Sequence, residues 1–344
     1  MSDKKKFSVL EGGIHTSKPE TSQKCFEVLE GGLETTVQDY SGRDGYLSLG
    51  VPRSGVMDRP SFRLGNELLG NELNAAGLEI QFIGPKLRFF RETVIAITGA
   101  DNQPQLNQKP IPLWQAIVVQ PGDVLSFGHA KLGTRTYVTF AGGLDVPEVM
   151  GSRSTFVRAQ IGGFQGRKLT KGDVLQTFPA RFPLSYLRNQ TLPTSAIPQF
   201  SHRWEIEVLA GPHDDWLTQV DVEQFLGCEW VVSSRSDRIG YRLEGAPFEF
   251  SENAHSKPAE NGSHPSNKID YGCSIGSVLF CGHTPTILLV DCPSLTGYMT
   301  PFTVIEDSLW RVGQARPGDV ITFKLVSLHE AVQKFQNCDL LAVH

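Results

Sequence analysis

Gly77-Leu78-Glu79-Ile80-Gln81-Phe82-Ile83-Gly84-Pro85-Lys86-Leu87-Arg88-Phe89-Phe90-Arg91-Glu92-Thr93-Val94-Ile95-Ala96-Ile97-Thr98 is the stretch that decides the fold. It breaks into short segments, Leu78 to Ile83, Lys86 to Phe90 and Val94 to Thr98, each rich in branched and aromatic residues. Such side chains suit a pleated, half-buried surface, so each segment is expected to be a strand. The rhythm continues through Ala116 to Val119, Val124 to Phe127 and Thr136 to Phe140. Gly, Pro, Asn or Asp recur about every eight to twelve residues, the spacing of a β-sandwich or barrel. One phrase also returns: Pro121-Gly122-Asp123-Val124, Gly172-Asp173-Val174 and Pro317-Gly318-Asp319-Val320 each feed an alternating apolar segment. Its recurrence near the ends of two regions predicts two β domains of related construction.

Working outward, residues 1–24 are polar and expected to be a poorly ordered tail, although Val9-Leu10-Glu11-Gly12-Gly13 reappears as Val28-Leu29-Glu30-Gly31-Gly32. Cys25 to Leu29 reads as a strand opening a first β-barrel domain, 25–180. Its clearest helix starts at Asp58, a capping residue followed by Pro60, offers Phe62, Leu64, Leu68 and Leu69 to the core, and stops at Gly70. A proline-rich linker is expected over 181–203 and a second β-barrel domain over 204–326. Ser251 to Asp270, rich in Ser, Asn, His and Pro, reads as an exposed, mobile loop. The remainder, 327–344, is a tail or short helix.

The chain has 344 residues, 32 basic and 37 acidic, for a net charge of -5. Its basic residues are scattered, and Lys4 to Lys6 is the only basic run, so no phosphate-tracking groove for nucleic acid is indicated. No apolar run approaches the roughly 20 residues that span a bilayer, and the N-terminus lacks a signal-peptide core. A cytoplasmic protein with no membrane association is expected, its six cysteines reduced. Gly272-Cys273-Ser274-Ile275-Gly276 imitates a serine nucleophile elbow, but Val278 to Cys281 after it reads as a strand where that motif needs a helix. Cys273, Cys281, His283 and Cys292 match no usual zinc spacing, so no metal is expected.

Chemistry concentrates between Gly31 and Asp58. Glycines alternate there with Gln38, Asp39, Arg43, Asp44, Arg53 and Asp58, a flexible backbone carrying both charge signs. Asp39 and Asp58 are candidate general bases or acceptors of an amide N–H, and Arg43 a candidate carboxylate grip. The plain alternative for both Asp residues is a turn or helix cap. Thr98-Gly99-Ala100-Asp101 ends a strand with an acid, either aimed into a cleft or closing a turn. Gly151-Ser152-Arg153-Ser154-Thr155 sets a guanidinium among hydroxyls, suited to an anion or to a plain hydrogen-bonded loop. Gly162-Gly163-Phe164-Gln165-Gly166-Arg167 lacks the spacing and lysine of a phosphate loop. Ser236-Asp237-Arg238-Ile239-Gly240-Tyr241 and Val290-Asp291-Cys292 are further charged strand ends.

Taken in order, Gly32 to Asp39, Gly42-Arg43, Gly50-Val51-Pro52, Ser54-Gly55-Val56-Met57-Asp58, Leu78-Glu79-Ile80, Gly84-Pro85, Thr98 to Asp101, Gly142-Gly143, Gly151 to Thr155, Ser236 to Leu243 and Gly313-Gln314 resemble the allophanate hydrolase subunit 2 family. That family also covers the C-subunit of 5-oxoprolinase and the later half of the urea carboxylase carboxyltransferase domain. The resemblance runs from about Phe26 to Phe323. It implies a mainly β fold of two cyclophilin-like β-barrel domains with few short helices. It departs from the family pattern at Ser294-Leu295-Thr296-Gly297-Tyr298, at Phe280-Cys281-Gly282 and in the 251–270 segment.

The resemblance further implies a carboxyltransferase-type subunit acting on a small amide, urea-like or 5-oxoproline, within a multi-component ATP-dependent enzyme and inactive alone. Its partners would be a subunit 1-type homologue and a biotin carboxylase or amidase chain, which would supply ATP chemistry and biotin; the chain itself shows no cofactor motif. Asp39, Arg43 and Asp58 are the catalytic candidates. Gln38, Ser54, Glu79, Asp101, Arg153, Ser154, Asp237, Arg238, Tyr241 and Asp291 are the substrate-binding candidates. The alternative is a non-catalytic regulatory protein that antagonises an inhibitor of a kinase.

Overall fold

The computed structural model describes residues 21–340. The strand Gln23–Glu30 lies between Val174–Thr177 and Lys86–Phe89 in a seven-stranded sheet. Facing it is a five-stranded sheet in the order Glu34–Gln38, Gly77–Gln81, Arg135–Phe140, Thr93–Gly99, Ala116–Val119. Phe26, Leu87 and Phe89 from the first sheet meet Leu78, Ile80, Ile97 and Phe140 from the second in one buried cluster, with Phe26 and Phe140 stacked 5.0 Å apart. Residues 77–98 thus supply strands to both sheets.

Thr93–Gly99 and Arg135–Phe140 are buried along their whole length. The reason is the helix Arg59–Leu68, which covers the outer face of the five-stranded sheet with Phe62, Gly65 and Leu68. Threonines on that face are satisfied by the helix backbone: Thr98 Oγ1 donates to Ser61 O at 2.7 Å and Thr139 Oγ1 to Gly65 O at 2.9 Å. The helix begins where its cap predicts, with Ser61 N donating to Asp58 Oδ1 at 2.9 Å.

Asp58 is fully buried, and burial pushes its carboxyl up to about 6, against hydrogen bonds from Ser61 and Gln314. An unfolded Asp titrates near about 3.9. The folded state therefore binds this proton more tightly, and the group's contribution to stability falls as pH rises from about 4 to about 6. In Asp58→Asn the cap oxygen survives, but an amide faces the Gln314 Nε2 donor, for an expected loss of about 1–3 kcal/mol. Because only the wild type titrates here, that deficit should widen as the pH is lowered from 6 to 4, measured by urea unfolding of both proteins.

The second unit is a closed barrel of seven strands: Arg203–Ala210, Phe302–Val304, Ser277–Cys281, Thr284–Leu288, Gly240–Glu244, Trp230–Val232 and Val320–Leu325. Parallel pairing of Arg203–Ala210 with Val320–Leu325 closes it. Phe225 from the helix Gln219–Gly227 fills the barrel, stacked on Phe302 at 4.4 Å and Phe323 at 4.2 Å. The mainly β architecture with few helices is as expected.

The recurring Gly-Asp phrase has one geometric meaning. Asp123, Asp173 and Asp319 each accept, on Oδ2, the backbone N–H three residues earlier, from Gln120 at 2.7 Å, Thr170 at 2.8 Å and Arg316 at 2.9 Å. The carboxylate closes the turn and so fixes where the next strand starts.

The structure departs from the sequence reading in places. Residues 1–20 and 341–344, including the first copy of the Val-Leu-Glu-Gly-Gly repeat and the basic run, lie outside the described residues; within the expected tail, Gln23 already pairs with Thr177. The 181–203 connection is packed: Leu187 is buried with Leu68, Leu69 and Val94. The terminal helix is Leu328–Leu340, longer than expected.

The 251–270 segment is not a structureless loop. It contains the helix Glu252–His255 and leads into Asn267–Gly272, which pairs with Leu295–Tyr298. Lys257 Nζ pins it by donating to the carbonyls of His264, Pro265 and Asn267. Composition suggested exposure; convergence of distant carbonyls on one ammonium is invisible to it.

Candidate functional site

The strand Glu34–Gln38 ends directly before Asp39. Asp39 is buried, and its carboxylate accepts from Gly42 N at 2.9 Å, Ser152 Oγ at 2.8 Å, Arg153 N at 2.6 Å and Ser154 Oγ at 2.6 Å. A carboxylate offers about four acceptor positions, and these donors fill them. Asp39 therefore ties the 39–44 turn to the 152–155 segment and has no lone pair left for a substrate proton. Of the two expectations for Asp39, general base and turn cap, the bonds it makes are those of the cap.

Arg43 is held by that tie. Its side chain is buried and Nη2 donates to Ser154 O, while Nε and Nη1 have no partner. Burial lowers the pKa of the guanidinium, opposed by the nearby Asp39 and Asp291 carboxylates. Gln38 donates to Thr155 O at 3.1 Å, leaving its Oε1 without a partner.

Beside Arg43 runs the strap from Arg53 to Met57. Arg43 N donates to Arg53 O at 2.6 Å, and Ser54 N reaches across the seam between the two units to Val290 O at 2.8 Å. Ser54 has φ of 56°, a left-handed conformation uncommon for a residue with a side chain, and its buried Oγ has no partner. Asp291 follows directly after the strap's contact residue Val290.

A buried ionic network lies under the strap. Glu79 accepts from Met57 N at 2.8 Å, Tyr137 Oη at 2.9 Å and Arg135 Nε at 3.3 Å, and pairs with Arg238 Nη1 across the seam. Arg238 continues to Asp291 Oδ2 at 2.8 Å and to Gly55 O at 2.8 Å. Burial alone would raise the Glu79 carboxyl, but the Arg238 and Arg135 guanidiniums hold it below the usual carboxylate range. Tyr241 Oη accepts from Arg135 Nη1 at 3.0 Å. Gln314 Nε2 donates to Asp58 Oδ2 at 2.7 Å while its Oε1 accepts Thr134 N and Arg135 N.

The structure thus brings together Gln38, Asp39, Arg43, Ser54, Ser154 and Asp291, with Glu79, Arg238 and Tyr241 as their support. Asp58 belongs to the helix cap. Three candidates do not join the site. Asp101 closes a turn, accepting Gln103 N at 2.9 Å. Asp237 is an exposed turn residue accepting Ile239 N at 2.8 Å. Arg153 serves Asp39 through its backbone N–H, while its guanidinium packs over Phe178, pairs with Glu148 at 3.2 Å and faces a separate cavity beside Asn74 and Gly143. For Asp101 and Asp237 the turn alternative prevails, because the turn's own N–H groups occupy the carboxylate.

Sequence reasoning missed Arg135 and Tyr137. Both sit in an apolar strand, where the charged residue at its first position was the available signal. Among the described residues no group of His, Cys, Asp and Glu could hold a metal ion, and no helix is long and apolar enough to cross a membrane. Ser274 precedes the strand Ser277–Cys281, so the nucleophile-elbow context is missing.

Comparison with known proteins gives this geometry a setting. Residues 49–325 match the family model of the carboxyltransferase domain, subdomains A and B. Urea amidolyase of Lachancea kluyveri is 42% identical over 313 residues, covering 88% of this chain and 17% of that protein. The chain therefore spans about a sixth of that relative's length. The C-subunit of Escherichia coli 5-oxoprolinase is 30% identical over 304 residues, covering 88% of this chain and 91% of that protein. Among solved structures, Kluyveromyces lactis urea carboxylase superposes with a TM-score of 0.86 at 41% identity, over 94% of this chain and 29% of that one.

Proposed function

We propose, because this chain belongs to the family of carboxyltransferase domains with subdomains A and B, that it is the carboxyltransferase-type component of a multi-component, ATP-dependent enzyme acting on a small amide. Urea-like and 5-oxoproline-like amides are the substrate class, in keeping with the names of its relatives. The observation that carries this reading is that Arg43 Nε and Nη1, Ser54 Oγ and Gln38 Oε1 are buried without partners on residues linked through Arg43 N to Arg53 O and through the backbone of Ser154 and Thr155. Buried polar groups are normally paired, so an orphaned set marks a place completed by a ligand. Arg43 supplies charged donors for a carboxylate or developing oxyanion. Gln38 Oε1 supplies an acceptor for an amide N–H, and Ser54 Oγ can serve either end.

In this reading biotin carried by a partner chain would, when carboxylated, supply the carboxyl carbon. Of this chain's own residues, Arg43 would hold the carboxylate, Gln38 and Ser54 would orient the amide, and Asp39 would keep Arg43 in place. ATP chemistry belongs to the partners, a subunit 1-type homologue together with a biotin carboxylase or amidase chain.

The test combines the chain with those partners and follows amide-dependent ATP hydrolysis. Turnover on urea or 5-oxoproline that requires this chain supports the proposal. Arg153→Ala should leave turnover within about twofold of wild type, since that guanidinium contacts Glu148 and Phe178 and none of the unpaired donors. Recovery of a kinase-control protein from a pull-down, with no turnover in any combination, would sink the enzymatic reading in favour of a regulatory one.

A further inference from the structure

The glycine-rich segment Gly162-Gly163-Phe164-Gln165-Gly166 has no role in the site as described, yet it lies directly on Arg43. A methyl group added at Gly162 would stand 2.0 Å from Arg43 Nη2 and 2.3 Å from Ser154 O, the two atoms of the bond that holds the guanidinium. One added at Gly163 would stand 1.9 Å from Thr155 Oγ1, the hydroxyl that donates to Val37 O at 2.9 Å. Both glycines have left-handed backbone, φ 66° and 54°, so a side chain is disfavoured there by conformation as well as by space.

The segment is anchored at both ends. Phe156 and Ile161 exchange backbone hydrogen bonds at 2.8 and 3.1 Å. Beyond it, Arg167 forms a two-point pair with Asp173, at 2.7 and 2.8 Å, and lies over the Phe164 ring. A backbone held in this way cannot swing clear of an added methyl group, so both contacts have to give: the Ser154 carbonyl in any background, and the Arg43 guanidinium where Nη2 is present.

We infer that Gly162 is a positioning residue for the candidate site: its bare backbone forms the seat that holds the Arg43 guanidinium against Ser154 O and leaves Nε and Nη1 for the ligand, while Gly163 makes room for the neighbouring Thr155 hydroxyl. This rests on the functional reading only for the identity of that ligand; the seat itself is a statement about Arg43. It also explains a glycine cluster that lacks every requirement of a phosphate loop, since here the glycines make room for a side chain of the same protein.

The test is a double-mutant cycle read by two probes. The first is the Nε–H signal of Arg43 in a nitrogen–proton NMR spectrum, assigned by its loss in Arg43→Lys. In Gly162→Ala this signal should shift and its exchange with water should rise at least tenfold, while Arg135 and Arg238 signals stay in place. The second is urea unfolding. Gly162→Ala should destabilise the wild type more than it destabilises Arg43→Lys, which lacks the colliding Nη2. An unmoved Arg43 signal in folded Gly162→Ala overturns the inference, as does equal destabilisation in both backgrounds. If Gly162→Ala does not fold, the double variant Gly162→Ala, Arg43→Lys decides: its folding supports the inference, and its failure to fold overturns it. A shifted signal with undiminished turnover alongside the partner chains keeps the seat and instead refutes the assignment of Arg43 to the ligand.

Discussion

Arg238→Ala should lower the unfolding free energy by about 3–5 kcal/mol, the size expected when one partner of a buried ion pair is removed. Arg238 is 7% exposed, and it is shared by Glu79 of the first unit, Asp291 of the second and the strap carbonyl of Gly55. Truncation leaves Asp291 with no cation in the network and the Gly55 carbonyl without its donor. The loss comes chiefly from those stranded groups, since an intact buried pair contributes little beyond an apolar replacement. Arg238→Lys should recover only part of it, because one ammonium cannot reproduce the fork that reaches all three acceptors. Urea denaturation measures both. The same variant should weaken the coupling of the two units, seen as a shallower or divided transition, since this network crosses the seam. A loss under about 1 kcal/mol would mean that water replaces the guanidinium and that the network does not hold the seam.

Arg43→Ala should reduce turnover with the partner chains by about 10²–10³-fold while the protein stays folded, the loss typical of one donor to a developing oxyanion. The argument is an asymmetry between neighbours. Asp39 has spent its lone pairs on Gly42, Ser152, Arg153 and Ser154, whereas Arg43 retains two buried donors without partners. Only the second has bonding capacity for something that arrives later. Asp39→Asn should impair turnover as well, but by misplacing Arg43, because an amide would meet at least one of those donors with another N–H. The two effects separate in the double variant: Asp39→Asn should do little further harm once Arg43 is alanine, a non-additivity expected of residues acting as a unit. Additive losses would return Asp39 to a direct role in the reaction.

The Asp residues show where sequence reading reached its limit. Asp58 announces a cap by standing just before Pro60 and an apolar helical face, and the cap is there. Asp39, Asp101 and Asp237 have similar neighbours, yet one is buried under four donors and the others close exposed or half-exposed turns. The difference lies in which distant backbone N–H groups arrive, and local composition carries no record of that. Arg153 illustrates the same point, since its main chain serves the site while its side chain turns away.

What the sequence determined by itself is therefore local or periodic: the strand rhythm from Leu78 to Phe140, the cap at Asp58 and the Gly-Asp turns, where neighbouring residues set the geometry. The ordered string of short motifs added the family. Which of the candidate residues meet depends on folding. Arg43 and Ser54, Ser154, and Asp291 come from three separate parts of the chain, and only folding decides which of their polar atoms are paired and which are buried without a partner. Hydrogen bonds are short-ranged and directional, so that distinction exists only once the chain has folded.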